Sequence, residues 1–248
     1  MPGTYSVTIT DSRGCQDTAS VTVPNTSGQT VTITAVSNVS CNGGSNGTLT
    51  VTVTGGTSPY TYAWSNGQTS SVATGLSVGT YTVKVTDNTG CAATTSATIS
   101  QPPPIKDTAT GTQTICIGQS IVLTDSVTGG TSPYKYNWSN GATTSSVTVS
   151  PVTTTTYSVS VTDANACTKG PVTVTVTVRP PLNLTLSKPP AVCPGNSVTI
   201  NATATGGDGN YTYTWYPGGT KGQNITVSPA TTTVYTVVVN DGCGTPDD

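Results

Sequence analysis

Apolar and hydroxyl side chains alternate along much of this chain. Val31, Ile33 and Ala35 are separated by threonines, and so are Leu49, Val51 and Val53, and Tyr81, Val83 and Val85. A period of two puts neighbouring side chains on opposite faces of a strand, so each run predicts a β-strand with one apolar face and one hydroxyl face. Between the runs stand turn signals: Gly55-Gly56-Thr57-Ser58-Pro59, Asn66-Gly67 and Asp87-Asn88-Thr89-Gly90. Residues 29–101 thus read as about seven short strands with regular turns, the pattern of a β-sandwich. No stretch carries a helical period.

The pattern recurs. Cys15, Cys91, Cys167 and Cys243 are each 76 residues apart, and Cys41, Cys116 and Cys193 form a second series at nearly the same interval. Trp64, Trp138 and Trp215 keep step, as do Tyr5, Tyr81, Tyr157 and Tyr235. A shared period in independent residue types predicts tandem modules. The expected organisation is all-β: residues 1–28 as the closing strands of an incomplete module, then immunoglobulin-like repeats at 29–101, 102–179 and 180–248. The last repeat is expected to lack a final strand after Cys243, where Gly-Thr-Pro-Asp-Asp stands. The linkers Gln101-Pro102-Pro103-Pro104 and Arg179-Pro180-Pro181 favour extended, stiff geometry, which predicts an elongated rod.

Alternation also assigns the aromatics. Tyr60, Tyr62 and Trp64 share one strand face, with Thr61 and Ala63 opposite; Tyr134, Tyr136 and Trp138, and Tyr211, Tyr213 and Trp215, repeat this. These nine read as core. Tyr216 breaks the alternation and is the candidate exposed aromatic.

Composition fits strands and excludes several activities. Thr (56) and Ser (26) make up a third of the chain, whereas Glu, His and Phe are absent. Only eight side chains are basic and the net charge is −2, which argues against nucleic acid. No apolar run approaches the ~20 residues of a membrane span. Without His there is no base for a Ser or Cys nucleophile, and with no CxxC there is no zinc pattern. With Asp read as confined to turns and ends, no carboxylate pair is available for glycoside hydrolysis. The reading is therefore a non-enzyme without cofactor or metal. Asp11, Asp87, Asp163 and Asp241, each shortly before a Cys, read as turn caps.

Repeat symmetry selects disulfides within modules, Cys41–Cys91, Cys116–Cys167 and Cys193–Cys243, and leaves Cys15 unpaired in the chain. Disulfides imply an oxidising, extracellular compartment.

The segments 55–67, Gly-Gly-Thr-Ser-Pro-Tyr-Thr-Tyr-Ala-Trp-Ser-Asn-Gly, and 75–91, Gly-Leu-Ser-Val-Gly-Thr-Tyr-Thr-Val-Lys-Val-Thr-Asp-Asn-Thr-Gly-Cys, resemble the SprB-type repeat of large surface adhesins in gliding bacteria. They are also similar to polycystic-kidney-disease-type sandwiches, with Ser-Asn-Gly where that family has an acidic hairpin. The resemblance implies a structural or adhesive region of a protein exported to the bacterial cell surface, by type IX secretion. Its expected partners are copies of itself, neighbouring repeats and surface glycans. The alternative is a glycan-binding accessory region of a secreted hydrolase. The resemblance also implies O-glycosylation at Asp-Ser/Thr-apolar triplets, here at Thr18, Thr108 and Ser126.

Overall fold

The computed structural model describes residues 3–23 and 28–244, and among these every regular element is a strand. Two compact units are present, Met1–Pro104 and Ile105–Asp248.

The first unit contains β1 (Gly3–Thr10), β2 (Gln16–Val23), β3 (Thr30–Ser37), β4 (Gly47–Thr54), β5 (Thr61–Trp64), β6 (Val72–Leu76), β7 (Gly79–Thr86) and β8 (Ala92–Ile99). Sheet β3-β4-β6 faces sheet β5-β7-β8, and their inner faces form one core. Leu49, Val83, Val85 and Ile99 are fully buried there, because alternation sends them inward while Thr50, Thr82 and Lys84 point out. Asn66-Gly67 makes the expected tight turn, with Gly67 at φ 86° and its N–H bonded to the Trp64 carbonyl at 2.9 Å. Outside this sandwich, β1 and β2 pair only with each other. Their register reproduces that of β7 and β8 displaced by 76 residues, from Gly3↔Val23 to Tyr5↔Val21. All of their residues are exposed.

The second unit holds two sandwich repeats. The earlier comprises β9 (Lys106–Ala109), β10 (Gln113–Cys116), β11 (Ile121–Thr128), β12 (Lys135–Trp138), β13 (Ser146–Val149), β14 (Thr155–Thr162) and β15 (Thr168–Arg179). Its sheets are β13-β11-β9 and β10-β15-β14-β12, with β10 and β15 parallel. The later comprises β16 (Asn183–Leu186), β17 (Val198–Thr205), β18 (Thr212–Tyr216), β19 (Thr220–Lys221), β20 (Asn224–Val227) and β21 (Thr236–Asn240). Its sheets are β16-β17-β20 and β19-β18-β21. Each repeat has its own core, one around Trp138 and one around Trp215. The expectation about a strand after Cys243 concerns residues 245–248, which lie outside the described residues.

The three tryptophans are 1–4 % exposed, and each indole N–H donates to a carbonyl, of Ser70, Thr144 or Gly222, at 2.8–2.9 Å. A buried indole needs such an acceptor. Tyr60, Tyr62, Tyr136, Tyr211 and Tyr213 pack at the margins of the cores. The hydroxyls of Tyr60, Tyr134 and Tyr211 donate to the carbonyls of Gly55, Gly129 and Gly206. Tyr216 is exposed.

Candidate functional site at a repeat junction

Each repeat has two poles. Gln29, just ahead of β3, donates from its side-chain amide to the carbonyls of Val85 (2.6 Å) and Cys91 (3.1 Å), so the entry to the sandwich lies beside Cys91. Cys41 lies in the loop after β3. There the Val39 N–H bonds the Ser100 carbonyl and the Gly43 N–H bonds the Gln101 side chain, so this loop lies beside the exit from β8. Cys91 precedes β8 and Ser100 follows it. Eight extended residues, about 26 Å, separate the two poles, whereas a disulfide needs Cα atoms within about 7 Å. In the second repeat Cys167 precedes β15, while Cys116 pairs with Arg179 at its far end.

The within-module pairing is therefore corrected. Cys116 is bonded to Cys243, Cα–Cα 5.6 Å, linking the exit pole of the second repeat to the entry pole of the third. Cys41 and Cys167 are each in a disulfide as well. Cys91 and Cys193, expected in bridges, carry free thiols, as does Cys15. The separation of about 50 residues suggested an internal staple, but the chain finishes that journey at the opposite end of the sandwich.

An aspartate shapes each entry pole. Asp87 accepts from the N–H groups of Thr89 and Cys91 on one oxygen and of Thr57 on the other, all at 2.9–3.0 Å. Asp163 does the same with Asn165, Cys167 and Thr131. Asp241 accepts from Cys243 and Asp208. One carboxylate thus closes the turn that presents the cysteine and ties it to the Gly-Gly loop across the pole. The Thr89 hydroxyl, with the N–H groups, holds Asp87 below the usual carboxylate range against its burial. For Asp163 burial pushes up, but the Cys167, Thr131 and Asn165 N–H groups outweigh it and the pKa is lowered.

At the junction of the second and third repeats this pole meets the preceding linker. The Gly207 N–H bonds the Pro180 carbonyl at 2.9 Å. A Cβ on Gly206 would lie 2.0 Å from the Pro181 oxygen, and one on Gly207 would lie 1.7 Å from an Asp241 oxygen, so the Gly-Gly pair is required by close approach. Asp208, buried to 12 % side-chain exposure, pairs with Arg179 at 3.7 Å. Its pKa is lowered, chiefly by the Asn210 and Gly242 N–H groups and least by Arg179. A disulfide, an ion pair and a docked linker thus converge on one contact. This arrangement couples modules. Among the described residues no three His, Cys, Asp or Glu side chains gather as metal ligands.

The second repeat holds a feature the sequence reading missed. Asp107 and Asp125 are not in turns but on β9 and β11, facing inward. Asp125 is 5 % exposed, and both its oxygens, with one of Asp107, are buried without a hydrogen-bond partner. Burial, then the neighbouring Asp107, raises the Asp125 pKa; burial and Asp125 raise that of Tyr136. The signal was present in the repeat alignment. The equivalent positions are Val31 and Val51 in the first repeat, and Leu184 and Ala202 in the third. The residues that follow these aspartates, Thr108 and Ser126, stand directly opposite each other on the outer face and are exposed. Thr18 is also exposed, its hydroxyl 2.9 Å from that of Thr8.

The SprB repeat family model matches the chain at residues 33–69 and 185–220, so the chain carries SprB-type repeats. No curated protein sequence matches it. Among solved structures, it is similar to the I-band fragment I67–I69 of titin, at 14 % identity and TM-score 0.45, covering 89 % of this chain and 96 % of that one. Extracellular domains 3–5 of Drosophila OTK match at 10 % identity and TM-score 0.35, covering 82 % and 90 %. Domains 4 and 5 of the S-layer protein SbsC match at 16 % and 0.30, covering 62 % and 98 %.

Proposed function

We propose, from SprB-type repeats joined by a disulfide across a junction, that this chain is the structural and adhesive repeat region of a protein displayed on the outside of a bacterial cell. The observation that carries this reading is the junction itself. A covalent bond, an ion pair and a backbone contact are invested in holding one module to the next, which is what a load-bearing stalk requires and an isolated binding module does not. Bridges of this kind form in oxidising compartments, which supports export. The paired outward hydroxyls of Thr108 and Ser126 are accessible acceptors for surface glycosylation. Antibody labelling of intact cells of the producing organism tests the reading. Label on the outer surface, removed by external protease, is expected; label reached only after lysis overturns it.

The second reading, a glycan-binding accessory region, rests on Tyr216, which is 48 % exposed on β18. It requires retention on insoluble polysaccharide that Tyr216→Ser abolishes.

A further inference from the structure

The partnerless oxygens of the second repeat lie together. Asp125 on β11 is almost wholly buried and neither of its carboxyl oxygens has a hydrogen-bond partner; Oδ2 of Asp107 on β9 is buried in the same state. Asp107 stands opposite Val127 and Asp125 opposite Ala109, so the two carboxyls sit diagonally across the β9–β11 ladder on its inner face. Diagonal neighbours in a ladder are about 7–8 Å apart, close enough for two carboxyls to converge without touching. Asp107 acts on Asp125 through its charge, and no hydrogen bond joins them.

A further oxygen comes from the facing sheet. In the third repeat the Tyr213 hydroxyl accepts from the Ala204 N–H at 3.3 Å, and Ala204 stands opposite Leu184. The counterparts of these three in the second repeat are Tyr136, Val127 and Asp107. The Tyr136 hydroxyl therefore reaches the inner face beside the two carboxyls. Burial, then the charge of Asp125, pushes its pKa up, as expected of a phenol beside a carboxylate.

These groups identify what fits between them. A core of low dielectric does not hold two ionised carboxylates without a compensating charge. Lys106, next to Asp107 in the chain, is exposed on the outer face, and among the described residues the Arg179–Asp208 contact is the ion pair. The donors are all oxygen, which selects a hard cation, and two carboxylates balance a divalent one. Magnesium demands near-ideal octahedral geometry and gives up water reluctantly, whereas calcium accepts irregular oxygen sets. We propose that the second repeat binds one calcium ion between Asp107 and Asp125, with the Tyr136 hydroxyl beside it. Asp107 is only half-buried, so the ion has a way in from solvent. The first and third repeats, with Val31 and Val51 or Leu184 and Ala202 at these places, have no such site. The inference stands on this core and not on the surface role proposed above.

The test uses the whole chain and calcium chloride, with hydrogen exchange reading each repeat separately. With only two carboxylates the affinity falls in the range of about 0.1–1 mM found in extracellular modules. Calcium at about 10 mM should then slow exchange in the second repeat roughly 10- to 100-fold relative to EDTA. The first and third repeats should not respond, and magnesium at the same concentration should do far less. Asp107→Asn with Asp125→Asn, which keeps the shape and removes the charge, should abolish the gain. Asp107→Val with Asp125→Val copies the aliphatic pair of the first repeat, so its folding does not depend on buried amides. It should be at least as stable as the parent in EDTA and indifferent to calcium. No calcium effect on the second repeat, an equal effect on all three repeats, an equal effect of magnesium, or a gain that survives either double substitution would each overturn the proposal.

Discussion

The first and second repeats solve the same packing problem with opposite chemistry at one spot. In the first, Val31 on β3 and Val51 on β4 pack into a continuous aliphatic core. In the second, the same two places carry Asp107 and Asp125, and three of their four oxygens are buried without partners. The sandwich survives the exchange because Leu123, Val159, Val174, Val176 and Trp138 still fill the rest of the core. The lesson is that the fold is carried by strand alternation and the indole anchor, while an individual core position can be given to a costly polar group. Unpartnered buried carboxyls typically cost ~1–3 kcal/mol each, so the second repeat is held together despite them.

That contrast can be broken from either side, with hydrogen exchange reading each repeat separately. Trp64→Ala and Trp138→Ala should cost each repeat about 3–5 kcal/mol, because both anchors are buried to the same degree. A much smaller loss in the second repeat would show its core to be already loosened by the aspartates. Next in size is Val51→Asp, which puts a lone carboxylate into the first repeat and should destabilise it by about 3 kcal/mol. Its mirror image, Asp107→Val with Asp125→Val, should stabilise the second repeat by about 1–3 kcal/mol at neutral pH. A loss of stability there would mean that the carboxyls have a structural partner.

The pH response is the finer probe. A raised pKa means that the folded second repeat holds a proton on Asp125 where the unfolded chain has released it. Its contribution is therefore full below the unfolded carboxylate value of about 3.9 and is lost as pH rises through the folded value. Asp87 acts the other way: its lowered pKa stabilises the first repeat above about 3.9, and this is lost as pH falls through the folded value. On titration from neutral toward pH 4, the second repeat should gain protection relative to the first, and the Asp107→Val, Asp125→Val variant should lose that gain. Below pH 4 the lowered Asp87 and Asp163 bring ordinary acid weakening to the first and second repeats respectively. The smallest effect is expected at Tyr216, where Ser should change stability by no more than about 0.5 kcal/mol.

Strand faces were legible in the sequence because period-two alternation has a direct structural meaning. It put Tyr60, Tyr62 and Trp64 on one face, of which Trp64 is buried and the tyrosines pack against the core, and it singled out Tyr216, which is exposed. The turn role of Asp87 was legible because a carboxylate two and four residues before free N–H groups closes a tight turn locally. Two features were not. The partner of Cys116 is set by which pole its loop reaches, and that depends on strand direction through a whole sandwich. Asp107 and Asp125 were overlooked because aspartate in a strand is unusual enough to be read as a turn. The alternation Ile121, Leu123, Asp125, Val127 already pointed it inward.

The bond between Cys116 and Cys243 also changes what a pull on the protein can do. Tension entering at β10 reaches Cys243 through two sulfur atoms and bypasses the 127-residue span between them. The third sandwich and five of the seven strands of the second hang off the loaded path as a closed loop, and their roughly 400 Å of extended contour stays locked while the bond is intact. Drawn out between handles on β10 and at Cys243, the chain should lengthen by that amount only after a reductant is added. A reductant would then convert an inextensible tether into a shock absorber with two modules to unfold.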